Sequence, residues 1–210
     1  MQDLKDVSAL VSGAASPVGT EVVRELASRG AKVLAADSSE ELLDEAIAKL
    51  GLDHADEIFT HELEGSDFVS WWDLANLVAA YLPSLHFFVH VGDEKPSVPV
   101  RTLKESALVE AQAASTNSLL TAMGRLEKYF TAASEEDAIG ACVVAVLPAA
   151  DGGRDGDVPG ALCHASTHQL ANSLTTEYSA AGLNIRVHAI RPSASDSRGA
   201  AKAIVGLLER

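Results

Sequence analysis

A glycine-rich segment near the N-terminus has the residue types of a phosphate-binding turn. Residues 12–19 read Ser-Gly-Ala-Ala-Ser-Pro-Val-Gly and lie between a β-branched run and a segment with helical apolar spacing. In such a position glycines permit a tight turn, and the N–H groups of the following helix face a pyrophosphate. The segment therefore predicts a dinucleotide site. The residues expected to contact the cofactor here are Gly13, Ser16, Val18 and Gly19.

Asp37 is a further candidate cofactor residue. It follows Gly19 by eighteen residues and ends a predicted strand. A carboxylate there accepts hydrogen bonds from a ribose diol and repels a 2'-phosphate, which favours NAD over NADP. The alternative is that Asp37 is an ordinary helix cap before Ser38 and Ser39.

Two histidines offer acid-base chemistry. His164 and His168 are four residues apart, so they share one face of a helix, and an imidazole titrates near neutral pH. The same spacing forms half of a metal site in some hydrolases, but no glutamate follows His164 and no third ligand is evident. We therefore predict no metal site. The alternative to a catalytic role is a pair of surface or interface histidines.

Alternating strands and helices must position these residues. Short β-branched runs alternate with segments whose apolar residues recur every three or four positions. Strands are predicted at residues 7–12, 31–37, 56–61, 86–91, 142–147 and 184–190. Helices are predicted at residues 17–28, 40–50, 67–81, 103–133, 161–180 and 198–208. Right-handed crossovers between parallel strands produce a doubly wound α/β sheet with ligands at the carboxyl ends of its strands.

Composition narrows the class of protein. Sixteen basic and thirty acidic side chains among 210 residues give a net charge of -14, so neither nucleic acid nor a membrane surface is an expected partner. The longest run of low polarity, residues 139–150, is shorter than the ~18 residues that suggest a membrane span. The N-terminus shows no secretory signal pattern. We expect one cytoplasmic domain over residues 1–210, with a mobile, glycine-rich loop at residues 148–160.

The glycine-rich turn resembles the fingerprint of the short-chain dehydrogenase/reductase family, Thr-Gly-x-x-x-Gly-x-Gly. Ser12 stands at the family's threonine, Gly13 and Gly19 at its outer glycines and Pro17 at its middle glycine. The resemblance implies a Rossmann-like fold and a nicotinamide dinucleotide. Because proline lacks an N–H and its ring fills space, we expect NAD to bind weakly or in a shifted position, through the remaining amides of Val18 and Gly19.

Two further segments carry the same resemblance. Residues 89–92, Val-His-Val-Gly, stand where the family has Asn-Asn-Ala-Gly, and residues 185–193 resemble its Ile-Arg-Val-Asn-x-x-x-Pro-Gly. The resemblance implies cofactor contacts by Val91, Gly92 and Pro192. His90 is expected either as a polar contact near the nicotinamide or as a core histidine with a backbone partner. The chain stops after one short helix, so we expect about six strands, truncated at the C-terminus.

The family's proton relay of Ser, Tyr, Lys and Asn has no intact counterpart in the sequence. Residues 143–150, where the serine belongs, contain no hydroxyl, and Ala113 stands at the asparagine. Aligning residues 170–178 with the family's helix puts Gly160 at the tyrosine and His164 at the lysine. A register four residues later puts His164 at the tyrosine and His168 at the lysine, but it shortens the helix before Glu177 by a turn, so the first register is preferred.

Three functions remain open. The first is a catalytically impaired nucleotide-binding or partner subunit that keeps the fold. The second is an active NAD-dependent oxidoreductase in which His164 or His168 serves as the acid or base. The third is a purely structural dimer partner. For all three we predict a homodimer built on the Ala-rich segment 107–122 and the helix after Gly160, the surfaces through which the resembling family usually dimerises.

Overall fold

The β-branched runs form one six-stranded parallel sheet. The computed structural model describes residues 3–51, 57–82, 84–92, 100–136, 139–147, 158–192 and 196–208. The strands are β1 (Ser8–Ser12), β2 (Lys32–Asp37), β3 (Ile58–Glu62), β4 (Phe87–Val91), β5 (Ala141–Val146) and β6 (Ile185–Ile190). Their order across the sheet is β3-β2-β1-β4-β5-β6, and every pair is parallel. This order is the predicted doubly wound arrangement.

Seven α-helices connect or follow the strands. They are α1 (Pro17–Ser28), α2 (Glu40–Ala48), α3 (Phe68–Tyr81), α4 (Glu105–Gln112), α5 (Ser118–Glu136), α6 (Val158–Ala180) and α7 (Ser197–Val205), all within the described residues. None of these described helices is both long and apolar enough to cross a membrane. Short polar caps set where the helices begin. The side chains of Ser16, Ser39 and Asp67 accept N–H bonds at the starts of α1, α2 and α3.

The core consists of two layers, one on each face of the sheet. Successive strand residues point to opposite faces, so Phe87 and Val89 pack with α1, α2 and α7, whereas Phe88 packs with α3, α5 and α6. The strands are therefore apolar on both faces, as buried parallel strands must be. Helices packed on both faces of the sheet hold the carboxyl ends of the strands together at one edge.

The predicted helix at 103–133 is wrong as a single element. It is divided by a π-helical turn, Ala113–Asn117, between α4 and α5. Ser115 Oγ donates to the Ala111 carbonyl at 2.8 Å, a side-chain bond of the kind that competes with regular helical bonding. A π turn shifts the following residues around the helix axis. The face that α5 presents to the sheet therefore differs from the one a continuous helix would present.

Two further boundaries differ from the sequence prediction. Helix α6 begins at Val158, so residues 158–160 are helical rather than part of a loop. Pro159 in the first turn does not prevent this, because an N–H there has no intrahelical acceptor. The rest of the predicted mobile loop, residues 148–157, lies outside the described residues. So does Asp56, the predicted first residue of the third strand, and the described strand extends to Glu62.

Candidate functional site

A pocket lies at the carboxyl edge of the sheet, where the connections from β1 and β4 run to opposite sides. Ligands of doubly wound folds bind at such a reversal of strand order. Three predicted cofactor residues, Gly13, Asp37 and Val91, line it. The full lining is Ser12, Gly13, Asp37, Ser38, Leu63, Glu64, Gly65, Ser66, Trp71, His90, Val91, Ala114 and Ser118.

Hydrogen bonds of the Ser16 side chain hold the glycine-rich turn together. Gly13 has a φ of +71°, and a Cβ on it would collide with the Val91 carbonyl oxygen. Ser16 Oγ donates to the Gly13 carbonyl at 2.6 Å and accepts the Gly19 N–H at 3.0 Å. The expectation that the Gly19 amide remains available to a phosphate is therefore wrong. Of the two expected amides, that of Val18 alone has no partner among the described residues.

Asp37 joins the end of β2 to the glycine-rich turn. One carboxylate oxygen accepts the Ala15 N–H at 2.9 Å, and the other accepts the Ser38 N–H at 2.8 Å. The alternative interpretation as a helix cap is wrong, because Ser39 caps α2 through a bond to the Leu42 amide. A carboxylate has about four acceptor positions. Asp37 can therefore hold the turn and still accept a hydrogen bond from a ligand.

The charged side chains that line the pocket in the described part of the chain are both acidic. Asp37 and Glu64 line it, and no lysine or arginine is among its lining residues in the described part of the chain. A ligand group that carries an extra negative charge would be repelled here, whereas hydroxyl groups can donate to the carboxylates. The pocket is therefore suited to a neutral, hydroxyl-bearing group.

His90 is buried at the inner side of the pocket. Its Nδ1 atom lies 2.8 Å from Ser12 Oγ, and the ring also interacts with the Ser115 backbone. Its Nε2 atom is buried and has no hydrogen-bond partner among the described residues. Burial lowers the pKa of His90 to about 4, and the nearby Ser115 carbonyl acts in the opposite direction. The ring is neutral at physiological pH.

The β3–α3 side of the pocket has no counterpart among the residues predicted from the sequence. Trp71 Nε1 donates to the Gly65 carbonyl at 2.9 Å, and Ser66 Oγ donates to Glu64 at 2.7 Å. Apolar residues recur at helical spacing along α3, which places one of its two adjacent tryptophans in the core. Trp71 is indeed buried and Trp72 exposed. Nothing in that spacing signals that the buried ring also borders a pocket.

The π turn supplies the remaining wall. Ala114 belongs to it and Ser118 begins the helix that follows, and both line the pocket. Ser118 is buried, and its Oγ has no partner among the described residues. Ala113, which stands at the family's asparagine position, lies at the start of the same turn. No sequence signal located Ser118, because the π turn that orients it was not predicted.

His164 and His168 lie on α6, apart from the pocket lining. Their ring centroids are 6.2 Å apart, and His168 Nδ1 lies 3.2 Å from the Asn172 side-chain nitrogen. Burial lowers the pKa of His164, with further lowering by Arg191 and His168. Arg191 directly follows β6, which puts His164 near the carboxyl edge of the sheet. Within the described ranges no three metal-ligating side chains cluster.

The remaining predicted cofactor residues follow strands at the same edge. Gly92 comes directly after β4, and its N–H is bonded to the Val146 carbonyl at 2.9 Å. Pro192 lies two residues beyond the end of β6. Neither belongs to the pocket lining, so their contact with a cofactor stays a prediction.

Solved structures with this fold include several oxidoreductases. An NADPH-bound short chain oxidoreductase from Pseudomonas aeruginosa PAO1 with an atypical catalytic center is 18% identical, with a TM-score of 0.84 over 99% of this chain and 91% of that one. A short chain dehydrogenase from Mycobacterium smegmatis is 19% identical, with a TM-score of 0.84 over 99% and 88%. A dehydrogenase/reductase from Mycobacterium ulcerans is 20% identical, with a TM-score of 0.77 over 91% and 68%.

The sequence itself also places the chain in a family. None of the curated proteins matches it significantly. The profile of the short chain dehydrogenases, in contrast, matches residues 8–204, a range that runs from β1 to α7. The chain therefore belongs to the short chain dehydrogenase family.

Proposed function

We propose that this protein is a nucleotide-binding member of the family whose catalytic machinery is impaired, and that it acts as a binding, regulatory or partner subunit. The observation that carries the proposal is the pocket at the β1–β4 reversal, which retains a glycine-rich turn and a carboxylate at the end of β2. The ligand-binding edge of the fold is thus present even though the residues for proton transfer are not matched.

The proposed ligand is NAD rather than NADP. Asp37 and Glu64 give the pocket negative charge without a balancing cation among the lining residues, which opposes a 2'-phosphate. Binding is expected to be weak, because Pro17 has no N–H and the Gly19 amide is already bonded to Ser16. The similar oxidoreductase from Pseudomonas aeruginosa is NADPH-bound, which supports a nicotinamide dinucleotide as the ligand class.

Impaired catalysis is proposed from the residues at the relay positions. Strand β5 and Leu147 after it are buried and carry no hydroxyl, and Gly160 stands in the first turn of α6, where the preferred alignment places the tyrosine. Loss of a positioned general acid costs about 10² to 10⁴ in rate. The atypical catalytic center of the Pseudomonas aeruginosa oxidoreductase supports the idea that this fold accommodates departures from the usual relay.

The alternative is an active oxidoreductase that uses a histidine. His164 lies near Arg191 at the carboxyl edge, and burial, Arg191 and His168 all lower its pKa, which favours the neutral imidazole. A purely structural dimer partner is the third possibility. Dinucleotide binding would distinguish the structural dimer partner from the other two functions. Turnover would distinguish the active oxidoreductase from the impaired subunit.

The deciding experiment is a titration followed by a turnover assay. NADH and NADPH are titrated by fluorescence, and a panel of ketones and alcohols is then assayed with both nicotinamides. We expect weak NADH binding, weaker NADPH binding and very slow reduction, which falls further in His164→Ala or His168→Ala. Absence of any dinucleotide binding would leave the structural partner. Rapid turnover lost in a histidine variant would establish the alternative, and rapid turnover unchanged in both would overturn both hypotheses.

A further inference from the structure

Strand β6 forms one edge of the described sheet, where a single described strand, β5, pairs with it. In a parallel strand, alternate residues direct both of their backbone groups to the same neighbouring strand. The Ile190 carbonyl accepts the N–H of Leu147, which directly follows β5, so residues 186, 188 and 190 face β5. The backbone groups that face away from the sheet therefore belong to Ile185, Val187 and Ala189. Open groups of this kind are a template for pairing with another chain.

One side chain of α6 occupies the middle of this edge. Thr175 Oγ1 donates to the Val187 carbonyl at 3.0 Å and accepts the Val187 N–H at 3.1 Å. A hydroxyl has one proton and two lone pairs, so a single side chain satisfies both groups. A neighbouring strand would supply Val187 with one donor and one acceptor in the same way. Thr175 therefore stands where the peptide groups of an added strand would lie.

The next residue of α6 shows that this contact is not simply what a helical hydroxyl does. Thr176 Oγ1 donates to the Asn172 carbonyl four residues earlier, at 2.9 Å, which is a common bond for a threonine within a helix. Thr175 instead bonds to a strand residue twelve positions later. Val187 is 4% exposed, so without the hydroxyl its two backbone groups would need another partner.

We propose that Thr175 closes the β6 edge against strand addition, and that an edge without this hydroxyl pairs with the β6 edge of a second copy. Two copies offer identical outward groups, so the strands can pair about a two-fold axis. Strand β6 contains one arginine and no acidic residue, so the strand itself adds no negative charge to oppose the approach. Neither Thr175 nor Val187 lines the nucleotide pocket, so this inference does not depend on nucleotide binding.

Sedimentation at rising protein concentration tests the edge. Thr175→Ala removes the hydroxyl and should produce a species of twice the wild-type mass, whichever assembly the wild type forms. Thr175→Ser keeps the hydroxyl and should sediment like the wild type. Thr176→Ala is the matched control, because it removes a hydroxyl that is bonded within α6, and it should also keep the wild-type mass. Equal association of the two alanine variants would overturn the proposal.

A second substitution tests whether the strand edge is the new contact. Ala189→Pro removes an outward-facing N–H that β5 does not use, and proline is tolerated at such positions of edge strands. Thr175→Ala combined with Ala189→Pro should therefore return to the wild-type mass, and circular dichroism checks that each variant is folded. Association that persists with the proline would mean that the copies meet through another surface, which would overturn strand pairing.

Hydrogen exchange tests the closure in the wild type itself, however the variants fold. The Val187 amide should exchange about three- to tenfold more slowly than the Ala189 amide, the factor that one net hydrogen bond provides. In dilute Thr175→Ala this difference should disappear. Equal exchange of the two amides in the wild type would overturn the closure. A folded Thr175→Ala that loses the protection but keeps the wild-type mass at every concentration would reduce Thr175 to a stabilising contact and overturn the proposal.

Discussion

At the scale of single residues, the pocket depends on a few polar side chains whose environments differ sharply. Asp37 is half-buried, and its two carboxylate oxygens accept the amide N–H groups of Ala15 and Ser38. His90 is nearly inaccessible, with Trp71 and Phe88 rings about 6 Å away, and it is held neutral. One residue therefore contributes charge to the pocket and the other a directional, uncharged contact.

Protein stability should depend on pH through His90. Its pKa is near 6.5 in the unfolded chain and about 4 in the folded protein, so between these values the unfolded state binds more protons and stability rises with pH. The contribution is complete above pH 6.5 and is lost as the pH falls toward 4. Denaturation of wild type and His90→Asn at pH 7 and 4.5 should show the gap between their unfolding free energies changing by on the order of 2–3 kcal/mol.

All other titratable groups are common to those two proteins, including Asp37 and Glu64 at the same pocket. Their contributions therefore cancel in the difference. A constant gap between the two curves would show that His90 is solvated or charged in the folded protein.

Asp37 should set the preference between the two dinucleotides. In Asp37→Asn, NADH affinity should fall by about three- to tenfold, because a charge-assisted acceptor is lost, and NADPH should gain relative to NADH. Calorimetric titration measures both. Asp44→Asn, on the exposed side of α2, removes the same charge outside the pocket and should leave the ratio unchanged. Tighter binding of NADPH than NADH by the wild type would refute the assignment of Asp37.

At the scale of elements, two irregular segments form the site. The turn between β1 and α1 requires glycine for close packing against the end of β4, and the π turn between α4 and α5 carries Ala114 and Ser118 to the opposite wall. Strands and regular helices provide the frame, but the ligand-facing atoms are presented where regular hydrogen bonding is interrupted. π turns are frequent at functional sites for this reason.

The turn should tolerate no side chain at Gly13. In Gly13→Ala the new Cβ meets the Val91 carbonyl, and φ of +71° is unfavourable for alanine, so we expect a loss of about 2 kcal/mol or more in unfolding free energy. Gly124→Ala is the control, because its Cβ meets nothing within 4 Å. In the exposed interior of α5 it should stabilise the protein by about 0.5–1 kcal/mol. Thermal or urea denaturation would measure both, and equal effects would show that the turn is not constrained.

At the scale of the whole molecule, a net charge of -14 on 210 residues keeps copies apart unless an apolar surface brings them together. Exposed apolar side chains occur on the helices expected at a dimer interface. They are Val109 on α4, Leu120 on α5 and Leu162 on α6. The small side chains along residues 107–122 permit close approach of a second copy. The proposed homodimer therefore uses the face formed by these helices.

Sedimentation should show a species of about twice 21.9 kDa at micromolar concentration. Leu120→Glu places a charge on the proposed interface and should shift the protein toward monomer, because a buried unpaired charge is costly. Leu42→Glu, equally exposed but on α2, should leave the assembly unchanged. A wild type that sediments only as a monomer would remove the dimer proposal.

The sequence by itself determined the fold class and the pocket residues at the ends of β1 and β2. Periodicity of apolar residues reports which faces are buried, so it predicted all six strands of the described sheet, and short-range spacing alone identified Gly13 and Asp37. The extents of helices were predicted less well. A single helical period cannot reveal the π turn at Ala113–Asn117, because the pattern there differs from a regular helix by only one residue.

Only the tertiary structure decided which distant side chains meet. Ser12 and His90 are separated by 78 residues and become neighbours because β1 pairs with β4. Ser118 lines the same pocket from the start of α5. The type and spacing of residues indicate which positions are buried. Contact between residues far apart in the sequence depends instead on strand order and on how the helices pack against the sheet. The contact between Ser12 and His90 and the place of Ser118 in the pocket could therefore not be found from the sequence.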